Sequence, residues 1–124
     1  VRLSLIVIYV PEPSLDRTAA FYGALLDAAP VREQHGSGPT HWSVTGADGL
    51  VIEVYPATSR PHTTTRLEFR GADLDGAVQR LMDRAFALPE RTRDGKGWWA
   101  TDPCGNTVIL LGVDAAEGAT PPED

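Results

Sequence analysis

Hydrophobic and polar positions along this chain switch between a period of two and a helical period, and the order of switching occurs twice. Leu3 to Val10 is a run of Leu, Ile and Val with Tyr9, stopped by Pro11 and Pro13, and it predicts a strand. Ser14 offers an N-cap, after which Ala20, Phe21, Ala24, Leu25 and Ala28 recur at helical spacing until Pro30, predicting a helix over 14–28. A polar, glycine-containing stretch over 32–40 leads into His41-Trp42-Ser43-Val44-Thr45, the turn Gly46-Ala47-Asp48-Gly49, and Leu50-Val51-Ile52-Glu53-Val54-Tyr55. Two strands around a Gly/Asp turn predict a hairpin.

Residues 56–65 turn polar around Pro61 and read as an internal linker. The same order then returns. Arg66-Leu67-Glu68-Phe69-Arg70 alternates as a strand, Asp73 is an N-cap candidate, and Leu74, Ala77, Val78, Leu81 and Ala85 form a helical stripe. A Gly-rich loop over 93–97, the strand Trp98-Trp99-Ala100-Thr101, the turn Asp102-Pro103-Cys104-Gly105-Asn106 and the strand Thr107 to Leu111 complete it. Trp42 stands seven residues before Gly49, and Trp98 seven before Gly105. The pattern predicts an α+β fold of two βαββ repeats, over 1–57 and 64–113, which form a curved eight-stranded mixed sheet with the helices on its convex face. The concave face is then a cleft. Residues 1–113 form one domain in this reading, and 114–124, with Gly, Pro and acids, form a flexible acidic tail.

Composition narrows the choice of partners. The chain has 124 residues, 42% hydrophobic and 23% charged, which suits one globular domain and excludes wholesale disorder. A net charge of -6 argues against binding a nucleic-acid backbone. The longest apolar run, Leu5 to Val10, is far short of the ~20 residues that span a bilayer, so no membrane span is expected and the protein reads as cytoplasmic. The single cysteine, Cys104, has no partner for an internal disulfide and reads as a turn residue.

Alternation along each strand divides its residues between a helix-packed set and a cleft set. Ile6, Ile8, Val10, Leu50, Ile52, Val54, Leu67, Phe69, Val108 and Leu110 fall in the first set. Leu5, Val7, Tyr9, Val51, Glu53, Tyr55, Arg66, Glu68, Arg70, Ile109 and Leu111 fall in the second, giving an apolar cleft with a few charges. Glu53 is the least expected residue, a carboxylate amid Val51, Ile52 and Val54, where burial without compensation is costly. It is either a solvated rim residue or a functional one. Trp42, Trp98 and Trp99 are candidate walls for a flat ligand, with core or dimer-interface packing as the alternative, and adjacent Trp98 and Trp99 must point to opposite faces.

The duplicated frame, the Phe21-Tyr22 pair followed by Leu25-Leu26, and the Asp102-Pro103-Cys104-Gly105-Asn106 turn together resemble the vicinal oxygen chelate superfamily, which includes glyoxalase I, extradiol dioxygenases and bleomycin-resistance proteins. In metal-dependent members, one side chain from the first and last strand of each repeat holds a divalent ion. The resemblance places those positions on Leu5, Glu53, Arg66 and Ile109. Only Glu53 is a cation ligand, so no metal and no cofactor are expected there. The guanidinium of Arg66 is instead expected to contact Glu53 as its counter-charge. His35, His41 and His62 are the residues from which a displaced site would have to be built, and ordinary solvated histidine is the default for each.

The resemblance to metal-free members implies a protein that sequesters a small apolar or aromatic natural product, as bleomycin-resistance proteins do, and works as a homodimer. The ligand-binding set is then Leu5, Val7, Tyr9, Trp42, Val51, Glu53, Tyr55, Arg66, Glu68, Arg70, Trp98, Trp99, Ile109 and Leu111. One alternative is a metal-independent isomerase, cyclase or hydrolase of secondary metabolism with Glu53 as general base and Arg66 stabilising an oxyanion. The other is a metal-dependent glyoxalase-type lyase or dioxygenase, for which Glu68 and His41 are the spare ligand candidates. The sequence leaves binding and catalysis both open.

Overall fold

The computed structural model describes residues 1–115. The acidic tail expected over 114–124 falls, from residue 116 onward, outside the described residues. Two compact units divide the chain between Thr63 and Thr64. The first contains β1 (Leu5–Val10), α1 (Leu15–Leu26), β2 (Val31–Glu33), β3 (His41–Thr45) and β4 (Val51–Pro56). The second contains β5 (Arg66–Gly71), α2 (Leu74–Asp83), β6 (Glu90–Arg91), β7 (Gly97–Thr101) and β8 (Thr107–Gly112).

The class is α+β, as the periodicity predicts: two helices and two four-stranded mixed sheets, ordered β1-β4-β3-β2 and β5-β8-β7-β6. In each sheet the first and last strands of the unit pair in parallel, and the other neighbours are antiparallel. The βαββ reading lacks one strand per repeat, the edge strands β2 and β6. They are three and two residues long, too short to show a period, and only their pairing to β3 and β7 defines them.

Helix boundaries also differ from the expectation. Pro11 and Pro13 start a 3-10 turn over Glu12–Ser14, and α1 begins only at Leu15, without a capping bond from the Ser14 side chain. The helix ends at Asp27, whose left-handed φ of 52° lets the Ala28 N–H donate to the Gly23 carbonyl, before Pro30 is reached. Asp73 does cap α2, accepting from the Gly76 N–H at 3.0 Å. Ala85, expected in the helical stripe, instead takes a φ of 61° beyond the helix end.

The first unit's core is built from Ile8, Val10, Phe21, Tyr22, Ala24, Val44, Ile52 and Val54, all fully buried. Burying each of the larger of these side chains contributes about 1.5–3 kcal/mol. Phe21 and Tyr22 meet edge to face with ring centroids 5.1 Å apart. In β8 both faces are buried, Val108 and Leu110 on one and Ile109 and Leu111 on the other. The hairpin turns match bond for bond. Gly46 and Leu50 close the first through an N–H to carbonyl bond of 2.9 Å, and Asp102 and Asn106 close the second at the same 2.9 Å. Gly49 and Gly105 have φ of 93° and 92°, a region that disfavours a side chain, which is why each turn carries glycine there. Among the described residues no helix is long and apolar enough to cross a membrane.

Candidate functional site

Strand register sorts the candidate residues. In the first sheet Leu5 lies opposite Val51, Val7 opposite Glu53 and Tyr9 opposite Tyr55. Ser43 faces Glu53 on the other side, and Glu33 faces His41. Residues directly opposite one another share a face, so Leu5, Val7, Tyr9, Val51, Glu53 and Tyr55 line one side as expected, with His41 and Glu33 beside them. Trp42 lies opposite Val54 and therefore on the other side, where its indole N–H donates to Asp16 Oδ1 of α1 at 2.8 Å. The expectation that Trp42 shares a cleft wall with Glu53 is corrected by this parity.

The second sheet gives the same division. Arg66, Glu68, Arg70, Ile109 and Leu111 share a face with Trp99, which lies opposite Ile109. Trp98 lies opposite Leu110 on the reverse face, with the Arg91 guanidinium 4.1 Å from its ring centre, so it too leaves the set expected to line the cleft. Arg66 and Glu68, both well exposed, form a loose ion pair at 3.9 Å, and Arg66 also lies 5.8 Å from the Trp99 ring centre. Arg70 donates to the carbonyls of Gly112 at 3.4 Å and Ala115 at 2.6 Å, so its guanidinium is engaged in holding the end of the described chain.

The densest polar chemistry lies in the first unit, and sequence reasoning underrated it. His41, expected to be a solvated histidine, is only 1% exposed. Its ring stacks on Tyr55 at 3.9 Å and 10°, and its Nδ1 lies 3.2 Å from the Pro39 carbonyl oxygen. A carbonyl only accepts, so Nδ1 carries the proton of that bond. On the ring's other side, Nε2 stands 3.5 Å from Glu33 Oε1 and 3.7 Å from Glu53 Oε2, and it makes no hydrogen bond among the described residues. The Glu53 side chain is 14% exposed. His35 joins from the following loop, its ring centre 5.1 Å from that of His41. One donor atom from each of Glu33, His35, His41 and Glu53 lies within 4.8 Å of all the others. His62, by contrast, is exposed in the linker.

The Tyr55 phenol is pushed above its ordinary value of 10.0, first by burial and then by the charge of Glu53, with Tyr9 and Glu33 adding to it. It stays a hydrogen-bond donor through the neutral range. The residue types at the positions implied by the superfamily resemblance do not suit a divalent ion. Of Leu5, Glu53, Arg66 and Ile109, two are hydrocarbon and one is a guanidinium, and Ile109 is fully buried, so that set supplies one donor where a divalent ion needs several.

The sequence did hold signals for the missed residues. Aligning Trp42 with Trp98 sets His41 against Gly97, a buried titratable group where the other repeat has no side chain. Glu33 was hidden because the edge strand that carries it shows no alternation of its own.

A family model described as "Glyoxalase-like domain" matches residues 6–111. No curated protein matches the chain by sequence. Among solved structures, TnmS3, an antibiotic-binding protein from Streptomyces sp. CB03234, is 21% identical and superposes with a TM-score of 0.66 over 90% of this chain and 95% of its own. The oxidase ChaP-H2 is 17% identical with a TM-score of 0.69, over 96% and 97% of the two chains. The fosfomycin resistance protein FosX from Mesorhizobium loti is 16% identical with a TM-score of 0.65, over 89% and 90%. At these identities the likeness is one of fold.

Proposed function

The chain belongs to the glyoxalase-like domain family, and from that premise we propose that it binds a small apolar or aromatic natural product and releases it unchanged. The observation that carries this reading is the sheet face built by Leu5, Val7, Tyr9, Val51 and Tyr55, part-exposed hydrocarbon and phenol around the carboxylate of Glu53. Tyr9 and Tyr55 tilt against each other with ring centres 6.0 Å apart, which suits a flat ligand laid across the strands. Each aromatic contact is worth about 0.5–1.5 kcal/mol beyond area burial. Glu53 and the Tyr55 hydroxyl supply orientation rather than affinity. The fold it shares with an antibiotic-binding protein supports the reading. As part of the same proposal, the protein works in the cytoplasm as a homodimer.

Titrating the full chain with a panel of planar polycyclic antibiotics, followed by intrinsic fluorescence and by mass analysis of the recovered compound, tests the proposal. Saturable binding is expected, weakened about tenfold by Tyr55→Ala, with the compound recovered intact. A compound recovered chemically altered overturns it in favour of an enzyme. That second reading is favoured by one observation, the mostly buried Glu53 carboxylate beside an imidazole, an arrangement suited to proton transfer.

A further inference from the structure

His41 presents an unusual balance. Its Nδ1 proton is committed to the Pro39 carbonyl and its ring plane is fixed by the Tyr55 stack, so the orientation of Nε2 is set from two sides. That nitrogen is buried, makes no hydrogen bond, and faces two carboxylates at 3.5 and 3.7 Å. These separations are too long for direct hydrogen bonds. The first falls within, and the second just beyond, the spacing of neighbouring ligand atoms around a tetrahedral ion, about 3.3–3.6 Å for bonds of ~2.0–2.2 Å. A histidine whose second nitrogen is anchored to a backbone carbonyl is also the usual arrangement of a metal ligand.

We propose that Glu33, His35, His41 and Glu53 bind one divalent first-row transition ion of the zinc type. Two carboxylates and two neutral imidazoles carry a charge that a dication cancels, and the imidazoles select against magnesium and calcium. Four protein donors make a closed site of the structural kind, which clips the edge strand β2 and its following loop to β3 and β4. Exposed His35 and part-exposed Glu33 give the ion a way in, and their donor atoms, now within 4.8 Å of the others, can draw in to the spacing of a tetrahedral site. Of the positions implied by the superfamily resemblance only Glu53 takes part, and the site lies wholly within the first repeat. The inference goes beyond the ligand-binding reading and does not depend on it.

The test uses the full chain, stripped with a chelator and dialysed against Zn(II), with metal content measured and Co(II) absorption recorded as a report on geometry. One ion per chain is expected, with the strong visible bands of a four-coordinate Co(II) site and a raised melting temperature. His35→Ala and Glu33→Gln are each expected to weaken Zn(II) binding by about tenfold or more, while the metal-free melting temperature stays as in the parent. These two side chains are not fully buried, so the comparison survives if His41 variants do not fold. Retention of no Zn(II), with a proton alone between the groups, overturns the proposal. Undiminished Zn(II) binding by the variant combining His35→Ala with Glu33→Gln overturns it as well, because the ion would then lie elsewhere.

Discussion

The two repeats place different chemistry on one backbone plan. Strands β3 and β7 bury their residues in the same sequence, yet the first position is His41 in one and Gly97 in the other. In the second repeat Thr92 stands opposite Gly97 and is fully engaged, its hydroxyl donating to Asp94 Oδ1 at 2.7 Å and accepting from the Gly97 N–H at 3.0 Å. In the first repeat Glu33 stands opposite His41, and the buried Nε2 between Glu33 and Glu53 has no hydrogen bond among the described residues. Where the first repeat carries Glu53, the second carries the buried hydrocarbon of Ile109.

The turns show the opposite asymmetry. Asp102 Oδ1 accepts from the N–H groups of Cys104 at 2.8 Å and Asn106 at 2.9 Å, its Oδ2 accepts from Asn106 Nδ2, and Asn106 Oδ1 accepts from the Thr65 N–H. In the first turn the corresponding reinforcement is one bond of 3.2 Å from the Leu50 N–H to Asp48 Oδ1. Around Thr92, Asp102 and Asn106 the polar groups of the second repeat are paired internally, while its Trp98 Nε1 is, like His41 Nε2, buried without a hydrogen bond among the described residues. What sets the first repeat apart is that its unpaired His41 Nε2 faces two carboxylates, Glu33 and Glu53, at 3.5 and 3.7 Å.

The sharpest way to break this contrast is to give β7 a side chain at its first position. In Gly97→Ala the new Cβ would meet the Leu110 carbonyl oxygen at 2.5 Å and Leu111 Cδ2 at 3.0 Å, and a backbone oxygen does not yield cheaply. A loss of about 3 kcal/mol is expected in urea unfolding, and an unchanged midpoint would mean that the second repeat tolerates what the first one carries. Next in size, Asp102→Ala strands several donors and is expected to cost about 2 kcal/mol, whereas Asp48→Ala at the exposed first turn should stay within about 0.5 kcal/mol. Equal losses would remove the distinction between the turns.

The smallest effect concerns Asp94. Its carboxylate accepts first from the Lys96 N–H and then from the Thr92 hydroxyl, which hold it below its ordinary value of 3.8. A depressed folded value means that the stabilisation is complete above the unfolded value and is lost as the pH falls through the folded one, below about 4. Asp94→Asn should therefore flatten the acid limb of the stability curve and leave the neutral region nearly unchanged. A parallel acid limb in the variant would show that another carboxylate governs it.

Much of the fold was legible because it follows from short-range regularities. The apolar run of Leu5 to Val10 stopped by Pro11, the stripe of Leu74, Ala77, Val78 and Leu81, and the paired glycines of the turns each state their own structure. Parity also assigned Glu53, Tyr55 and Ile109 to the face they occupy, whereas only the pairing of Trp99 with Ile109 decides which of the two adjacent tryptophans shares it. The errors arose where neighbours in sequence carry no information. The indole of Trp42 suggests a ligand wall while its parity places it with Val54, and β2 is too short to have a pattern.

By itself, then, the sequence determined the duplicated α+β plan, the face on which the residues of β1, β4, β5 and β8 lie, and the want of donors at Leu5, Arg66 and Ile109, because periodicity, turn chemistry and residue type are local properties. Only the tertiary structure decided that Glu33, His35, His41 and Glu53 come together, and that Arg70 spends its guanidinium on the end of the described chain. Those four donors come from two paired strands, an edge strand and a loop. Their meeting depends on register across the sheet, a long-range quantity that no run of adjacent residues encodes.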